Sequence, residues 1–482
     1  MRALILLALL LAACGPSSPA AVPAAASPST AAASPSPSAR ATAFDGARAF
    51  ANLAYLADPA RGGRYSGSSG YLEAAQYVAA EFKAIGLEPL GDGGTYFQRF
   101  TMPLVDLAAT PTLSRTGAGA KSWKHRVDFT ESVSGRAGNG TAEGSVVVVG
   151  GALKNFQQND FAGVDLKGKI ALVTGPSQGN IVESSFGEGA LGVLVTGGTE
   201  IRYSYIPRLE SKTIPVLVIT DAVADELIAA TGKRVADERT AVRARRADPS
   251  APPVAFDVPA TVRMSVPLTP VHDVEAINVV GLLRGNDPVQ SLRAVAVGGH
   301  LDGVGTDPDG TVFAAANDNA SGPAITIEVA RALALRKAEL KRSVVFVVFA
   351  GEEEGYLGSE AYVSKMSAIP GRVESLVAYL NLDVIGCCGS TLEASDDSRA
   401  LQDRVRAAAA QFGIPFGAIR GGGGSDHATF ARRGVPSTLI LWSDIILHTP
   451  RDTIAMIDPM RLQQAGDVVT TVALDLARGD GP

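Results

Sequence analysis

Val295-Ala296-Val297-Gly298-Gly299-His300-Leu301-Asp302 decides the fold. It is an unbroken apolar run, ending in two glycines and then in an imidazole and a carboxylate. A run of this length with no polar alternation reads as a strand buried on both faces. Similar strand-like runs recur downstream at 343–349, 377–382 and 437–442, separated by helix-like segments such as 323–340 and 399–412. Upstream, 72–85 carries apolar residues at three- and four-residue spacing, and Gly86 supplies a stop. Strands that are apolar throughout, alternating with helices, predict an α/β fold: a mostly parallel, doubly wound sheet with helices on both faces.

The stretch 115–265 has a different character. Short β-branched runs at 146–149, 170–174, 193–196 and 216–219 are separated by Gly, Asn, Asp and Pro, which predicts a small β-rich insert. Asp165-Leu166-Lys167-Gly168-Lys169-Ile170-Ala171-Leu172-Val173, Gly189-Ala190-Leu191-Gly192-Val193-Leu194-Val195 and Ile214-Pro215-Val216 resemble the protease-associated domain inserted in many exopeptidases. None of its polar residues has a spacing that suggests chemistry, so it is expected to be a lid or spacer.

At 482 residues the chain has room for two or three domains plus tails. Its net charge is −6 and its 43 Lys and Arg residues form no dense run, which argues against a nucleic-acid partner. Residues 1–13 read as an export signal: basic Arg2, an apolar run, then Leu11-Ala12-Ala13 directly before Cys14. Small residues before a Cys at the end of an apolar run resemble a bacterial lipoprotein signal. That implies cleavage before Cys14, lipidation of its thiol, and a protein anchored to the membrane of the cell envelope. Residues 14–42 are then an Ala/Pro/Ser tether. The expected domains are an N-terminal part of the main domain over 43–114, the insert over 115–265, and the rest of the main domain over 266–482. Cys387 and Cys388 remain, and neighbouring cysteines close a strained ring. No disulfide is expected, and both read as small buried apolar side chains.

In open parallel sheets ligands bind beyond the carboxyl ends of the strands, where the loops diverge. The polar residues gather there. The strand-like runs feed into His300 and Asp302, into Glu352 and Glu353, into Asp383, and through a short loop into His448, while Asp318 immediately precedes a helix. Singly, each has an ordinary explanation such as a helix N-cap or a solvated face. Jointly they would crowd carboxylates that repel one another unless cations neutralised them, and imidazole with carboxylate is a donor mix that suits zinc.

His300-Leu301-Asp302, Asn317-Asp318-Asn319-Ala320-Ser321-Gly322, Gly351-Glu352-Glu353-Glu354-Gly355-Tyr356-Leu357-Gly358-Ser359, Asn381-Leu382-Asp383-Val384-Ile385-Gly386 and His448-Thr449-Pro450-Arg451-Asp452-Thr453 resemble the ordered motif set of the dizinc aminopeptidase family. That family includes bacterial leucyl aminopeptidases, glutamate carboxypeptidase and glutaminyl cyclases. The resemblance implies a zinc-dependent exopeptidase acting on peptide substrates, with two Zn2+ per chain. Asp318 would bridge them, with His300 and Asp383 completing one site and Glu353 and His448 the other. Asp302 would accept the second ring proton of His300. Glu352 would take a proton from the attacking water and return it to the leaving amine.

One departure stands out: where several members place a Tyr before the last His, this chain has Leu447, and His427 is a candidate replacement whose role stays open. An aminopeptidase is favoured over a carboxypeptidase, because the only Arg residues near the motifs are Arg420, Arg432, Arg433 and Arg451. A glutaminyl-cyclase-type transferase and an inactive binding lipoprotein are the alternatives on the same fold.

Overall fold

The computed structural model describes residues 42–155, 157–175, 180–421 and 424–479. The expected signal, tether and Cys14 lie outside the described residues, apart from Thr42. Among the described residues no helix is long and apolar enough to cross a membrane.

The main sheet has nine strands: β1 (Glu88–Pro89), β2 (Phe97–Leu104), β3 (His272–Leu283), β4 (Ala294–His300), β5 (Ser343–Phe349), β6 (Leu376–Leu382), β7 (Leu392–Ser395), β8 (Phe416–Ile419) and β9 (Ser437–Trp442). Their order is β1-β3-β5-β4-β6-β9-β7-β8, with β2 also paired to β3. The central run β5-β4-β6-β9 is parallel. On one side β3 runs antiparallel to β1, β2 and β5, and on the other β7 runs antiparallel to β9. The sheet is therefore mixed at its edges and parallel in the middle, where the strands are apolar throughout.

Strand β5 shows why. Val344, Phe346 and Val348 join one core with helices α1 (Gly46–Leu56), α2 (Ser69–Ile85), α3 (Ser321–Ala334), α5 (Arg399–Gln411) and α6 (Pro459–Arg478). Val345, Val347 and Phe349 join a second core on the opposite face, with Tyr362 and Val363 of α4 (Leu357–Ser367) and with Phe430. Successive side chains point to opposite faces, so a strand buried on both must be apolar at every position. Helix α2 starts where the Ser68 side chain accepts the Tyr71 N–H and ends at Gly86, which takes the left-handed φ of 89°.

Strands β2 and β3 are neighbours, with Leu104 opposite His272. The chain leaves the main sheet at one and returns at the other. Between them lies a second sheet of eight strands running from Thr112 to Val266. It has its own core of Leu113, Phe129, Val146, Ile170, Leu194, Leu217 and Val262, among others.

Cys387 and Cys388 depart from the expectation: they are joined by a disulfide, and only Cys387 is buried. An extended chain would point the two side chains apart. Here Val384 (φ 44°) and Cys388 (φ 75°) bend the segment after β6 sharply, and the two sulfurs come to the same side.

Candidate metal centre

The ends of β4, β5, β6 and β9 bring the expected side chains to one rim. His300 is the last residue of β4, Glu352 and Glu353 follow β5 after Ala350-Gly351, Asp383 follows β6, and His448 ends the loop after β9. Asp318 lies in a tight turn ahead of α3. Two glycines let these elements close. A Cβ on Gly299 would lie 2.1 Å from the Leu382 carbonyl oxygen, and one on Gly322 would lie 2.2 Å from the same oxygen. The end of β4 and the start of α3 can thus both press on the end of β6, setting His300, Asp318 and Asp383 side by side.

Two groups of potential ligands share Asp318. His300 Nε2 lies 3.1 Å from Asp383 Oδ1 and 3.4 Å from Asp318 Oδ1. His448 Nε2 lies 2.9 Å from Asp318 Oδ2 and 3.0 Å from Glu353 Oε2. Each oxygen of Asp318 therefore addresses a different imidazole, the arrangement a bridging carboxylate requires. Ligand atoms about 2.0–2.2 Å from a tetrahedral ion sit about 3.3–3.6 Å apart, so small inward or outward adjustments would admit an ion to each group. All these side chains except that of His448 are buried, and Glu353 Oε1 takes no hydrogen bond. A buried carboxylate oxygen without a donor is what a cation would satisfy.

The electrostatics agree. Burial favours neutral rings at His300 and His448, but the carboxylates around them outweigh it and raise both well above the ordinary histidine value. Burial also raises Glu352 and Glu353, Glu352 strongly. Burial opposes ionisation of Asp318 as well, but hydrogen bonds from His300 and His448 outweigh it and hold this carboxyl well below the ordinary value.

Other groups hold this arrangement from behind. Asp302 is within reach of His300, but the hydrogen bond from His300 Nδ1 runs to the Asp302 backbone carbonyl at 3.2 Å, with its carboxylate at 3.5 Å. The Asp302 carboxylate instead accepts the Glu353 N–H at 3.2 Å. Asp452 accepts the N–H groups of Asn317 (2.7 Å) and Asp318 (3.0 Å), fixing the bridging residue's backbone. Buried Arg64 donates to the carbonyls of Leu301, Leu56, Ala314 and Ala315 at 2.7–3.0 Å, bracing the loop beneath the site. Burial brings its guanidinium down to about 10, against the pull of Asp452, Asp302 and Asp318. Neither Arg64 nor the backbone role of Asp452 has a signal in local sequence.

His427 is fully buried with Nε2 3.2 Å from Asp397 Oδ2, and it belongs to neither ligand group. Leu447 is 42% exposed. The insert, expected to carry no chemistry, reaches the site: Ser204 Oγ donates to Glu353 Oε2 at 2.7 Å, and the Arg202 N–H donates to the His448 carbonyl at 2.9 Å.

The fold and these side chains define an α/β protein built around a candidate two-ion centre at the carboxyl ends of its parallel strands. Residues 278–473 match the model of peptidase family M28. It is 26% identical over 341 residues to aminopeptidase YwaD of Bacillus subtilis, a match covering 67% of this chain and 65% of that one. The chain thus spans just under two thirds of that curated relative. Its fold is that of an aminopeptidase from Aneurinibacillus sp. strain AM-1 (TM-score 0.66, 22% identity, 90% of this chain and 94% of the other). It is also that of BSAP, a zinc aminopeptidase from Bacillus subtilis (TM-score 0.62, 23% identity, 91% and 96%).

Proposed function

We propose that the chain is a zinc-dependent aminopeptidase that removes N-terminal residues from peptides, with two zinc ions per chain. The observation that carries this reading is Asp318, whose two oxygens face His300 with Asp383 on one side and His448 with Glu353 on the other. The match of residues 278–473 to peptidase family M28 and the fold shared with a zinc aminopeptidase support it. Bound zinc supplies a Lewis acid that polarises a peptide carbonyl and acidifies an attacking water.

The chain's own part falls to Glu352, whose Oε2 lies 4.0 Å from His300 Nε2; it clusters with His300 and Glu353 but in neither group that contains Asp318. Buried beside the rim, it accepts the proton of the attacking water and returns it to the leaving amine. Asp302 holds the Glu353 backbone through its carboxylate and the ring of His300 through its backbone carbonyl, so the Glu353 carboxylate and the imidazole keep their orientation between turnovers.

Arginine pairing favours the aminopeptidase over a carboxypeptidase. Of the four arginines near the motifs, Arg432 and Arg433 pair with Glu360 and Arg451 pairs with Glu200, so that only Arg420 has no ion pair among the described residues; Arg202, from the insert, pairs with Asp106 and Asp307. Guanidinium groups already bound to carboxylates are poor receivers for a substrate's C-terminal carboxylate. We also propose that the protein is exported and lipid-anchored through Cys14; the support is the Leu11-Ala12-Ala13-Cys14 motif alone.

The test is zinc-loaded protein offered peptides with a free N-terminus, with a blocked N-terminus, or with a blocked C-terminus, alongside a count of bound zinc. Two zinc ions and cleavage that needs only the free N-terminus are expected. Cleavage that needs a free C-terminal carboxylate, cyclisation of an N-terminal glutamine with one zinc, or no zinc and no turnover would each overturn the proposal.

A further inference from the structure

Strand Gly192–Thr196 of the inserted sheet is followed by a loop over 197–208 that lies against the metal centre. It is held from both sides. Within the insert, Thr199 Oγ1 donates to the Val127 carbonyl at 2.8 Å, and Arg126 Nη1 and Thr130 Oγ1 both donate to the Ile201 carbonyl at 3.0 Å. Tyr205 bonds through its hydroxyl to Glu131. Toward the main sheet, Arg126 grips Asp307, in the loop after β4, with Nε at 2.8 Å and Nη2 at 3.0 Å. Arg202 reaches Asp106 at 2.8 Å, stacks 4.9 Å from the Tyr205 ring, and donates its backbone N–H to the His448 carbonyl. Between Arg202 and Tyr205 sits Ser204, whose hydroxyl donates to Glu353. A loop tied at Thr199, Ile201, Arg202 and Tyr205 leaves that hydroxyl little freedom.

We infer that Ser204 is a positioning residue for the second metal site: its hydroxyl fixes the carboxylate of Glu353 toward Asp318 and His448, so the inserted sheet completes the centre rather than only covering it. This rests on the two-zinc reading. The hydrogen bond and the His448 contact fall on the same oxygen, Oε2, at 2.7 and 3.0 Å. One lone pair of Oε2 is used by Ser204, which leaves the other directed at the His448 side. Without the hydroxyl, Glu353 keeps its backbone bond to Asp302 but gains freedom about its side-chain torsions. Among the described residues no hydrogen bond or ion pair joins this loop to His300 or Asp383, so the change falls first on the Glu353–His448 group.

The experiment titrates zinc into chelator-stripped wild type, Ser204→Ala and Ser204→Thr against a competing chromophoric chelator, reading two dissociation constants for each. Wild type should bind two ions. Ser204→Ala should hold one with unchanged affinity and the other about 10- to 100-fold more weakly, the range for losing a hydrogen-bond partner of a metal ligand. Ser204→Thr, which keeps the hydroxyl, should recover most of that loss; a general loosening of the fold would weaken both ions and would not be rescued. Both ions bound by Ser204→Ala as in wild type, or both weakened equally, would overturn the assignment of Ser204. A wild type that binds fewer than two ions would overturn the two-zinc reading beneath it.

Discussion

Glu131 offers a measurement of how firmly the inserted sheet holds the loop that touches the metal centre. It ends strand Phe129–Glu131, is fully buried, and is bonded by His125 (2.7 Å), Arg126 (2.6 Å) and the Tyr205 hydroxyl. Burial alone would raise its carboxyl, but His125, Arg126 and Tyr205 outweigh burial and hold it at about 2, against the ordinary 4.5. A folded value depressed this far contributes about 3 kcal/mol of stability. The contribution is complete above about pH 4.5, falls to roughly half near pH 3, and is gone well below pH 2.

Glu131→Gln removes the titration. Wild type should therefore exceed the variant by about 3 kcal/mol at pH 7, and that gap should narrow to about half near pH 3. Urea unfolding followed by the fluorescence of Trp123, which packs in the same core, in a Trp442→Phe background reads the difference. Protein stripped with a chelator keeps metal loss in acid from contributing. A gap that stays constant from pH 7 to pH 3, or that is absent at pH 7, would refute the reasoning.

Three further outcomes are expected. Glu352→Gln keeps shape but removes the proton acceptor, so turnover should fall by about two to four orders of magnitude with zinc content unchanged, while Glu353→Gln should lose zinc; metal analysis showing the reverse would exchange their roles. Asp318→Asn removes charge from the residue that faces both imidazoles, so both ions should weaken together, and two tightly held ions with normal turnover would rule out bridging. Cys14→Ser should move the protein from the membrane fraction to the soluble one at the same specific activity, and unchanged membrane association would refute the anchor.

The parts of the fold that were legible from sequence are those where local pattern and burial coincide. Ser343–Phe349 is apolar at every position because both of its faces are covered, and such a strand can only lie inside a sheet. The gathering of His300, Glu352, Glu353 and Asp383 follows from the same fact: parallel strands put their carboxyl ends on one edge, so whatever follows each strand shares that edge. The antiparallel flanks were less legible, since an apolar strand such as β3 carries no mark of its direction. The Cys387–Cys388 bond was missed because the turn that makes it depends on the left-handed φ of Cys388, a conformation its residue type does not announce.

Arg64 and Ser204 escaped for a different reason. Arg64 lies 237 residues from Leu301, whose carbonyl it meets, and Ser204 lies 149 residues from Glu353. Neither residue type is unusual where it stands, and neither follows a strand of the main sheet. Ser204 arrives only because two sheets with separate cores dock through Arg126 and Asp307, and the docking angle is encoded in no periodicity. A chain excursion that starts and ends on neighbouring strands need not stay remote from the site they support. Here β3 pairs with β5, whose carboxyl end carries Glu352 and Glu353, and β2 pairs with β3, so an insert rooted on that side of the sheet has a short path back to those carboxylates.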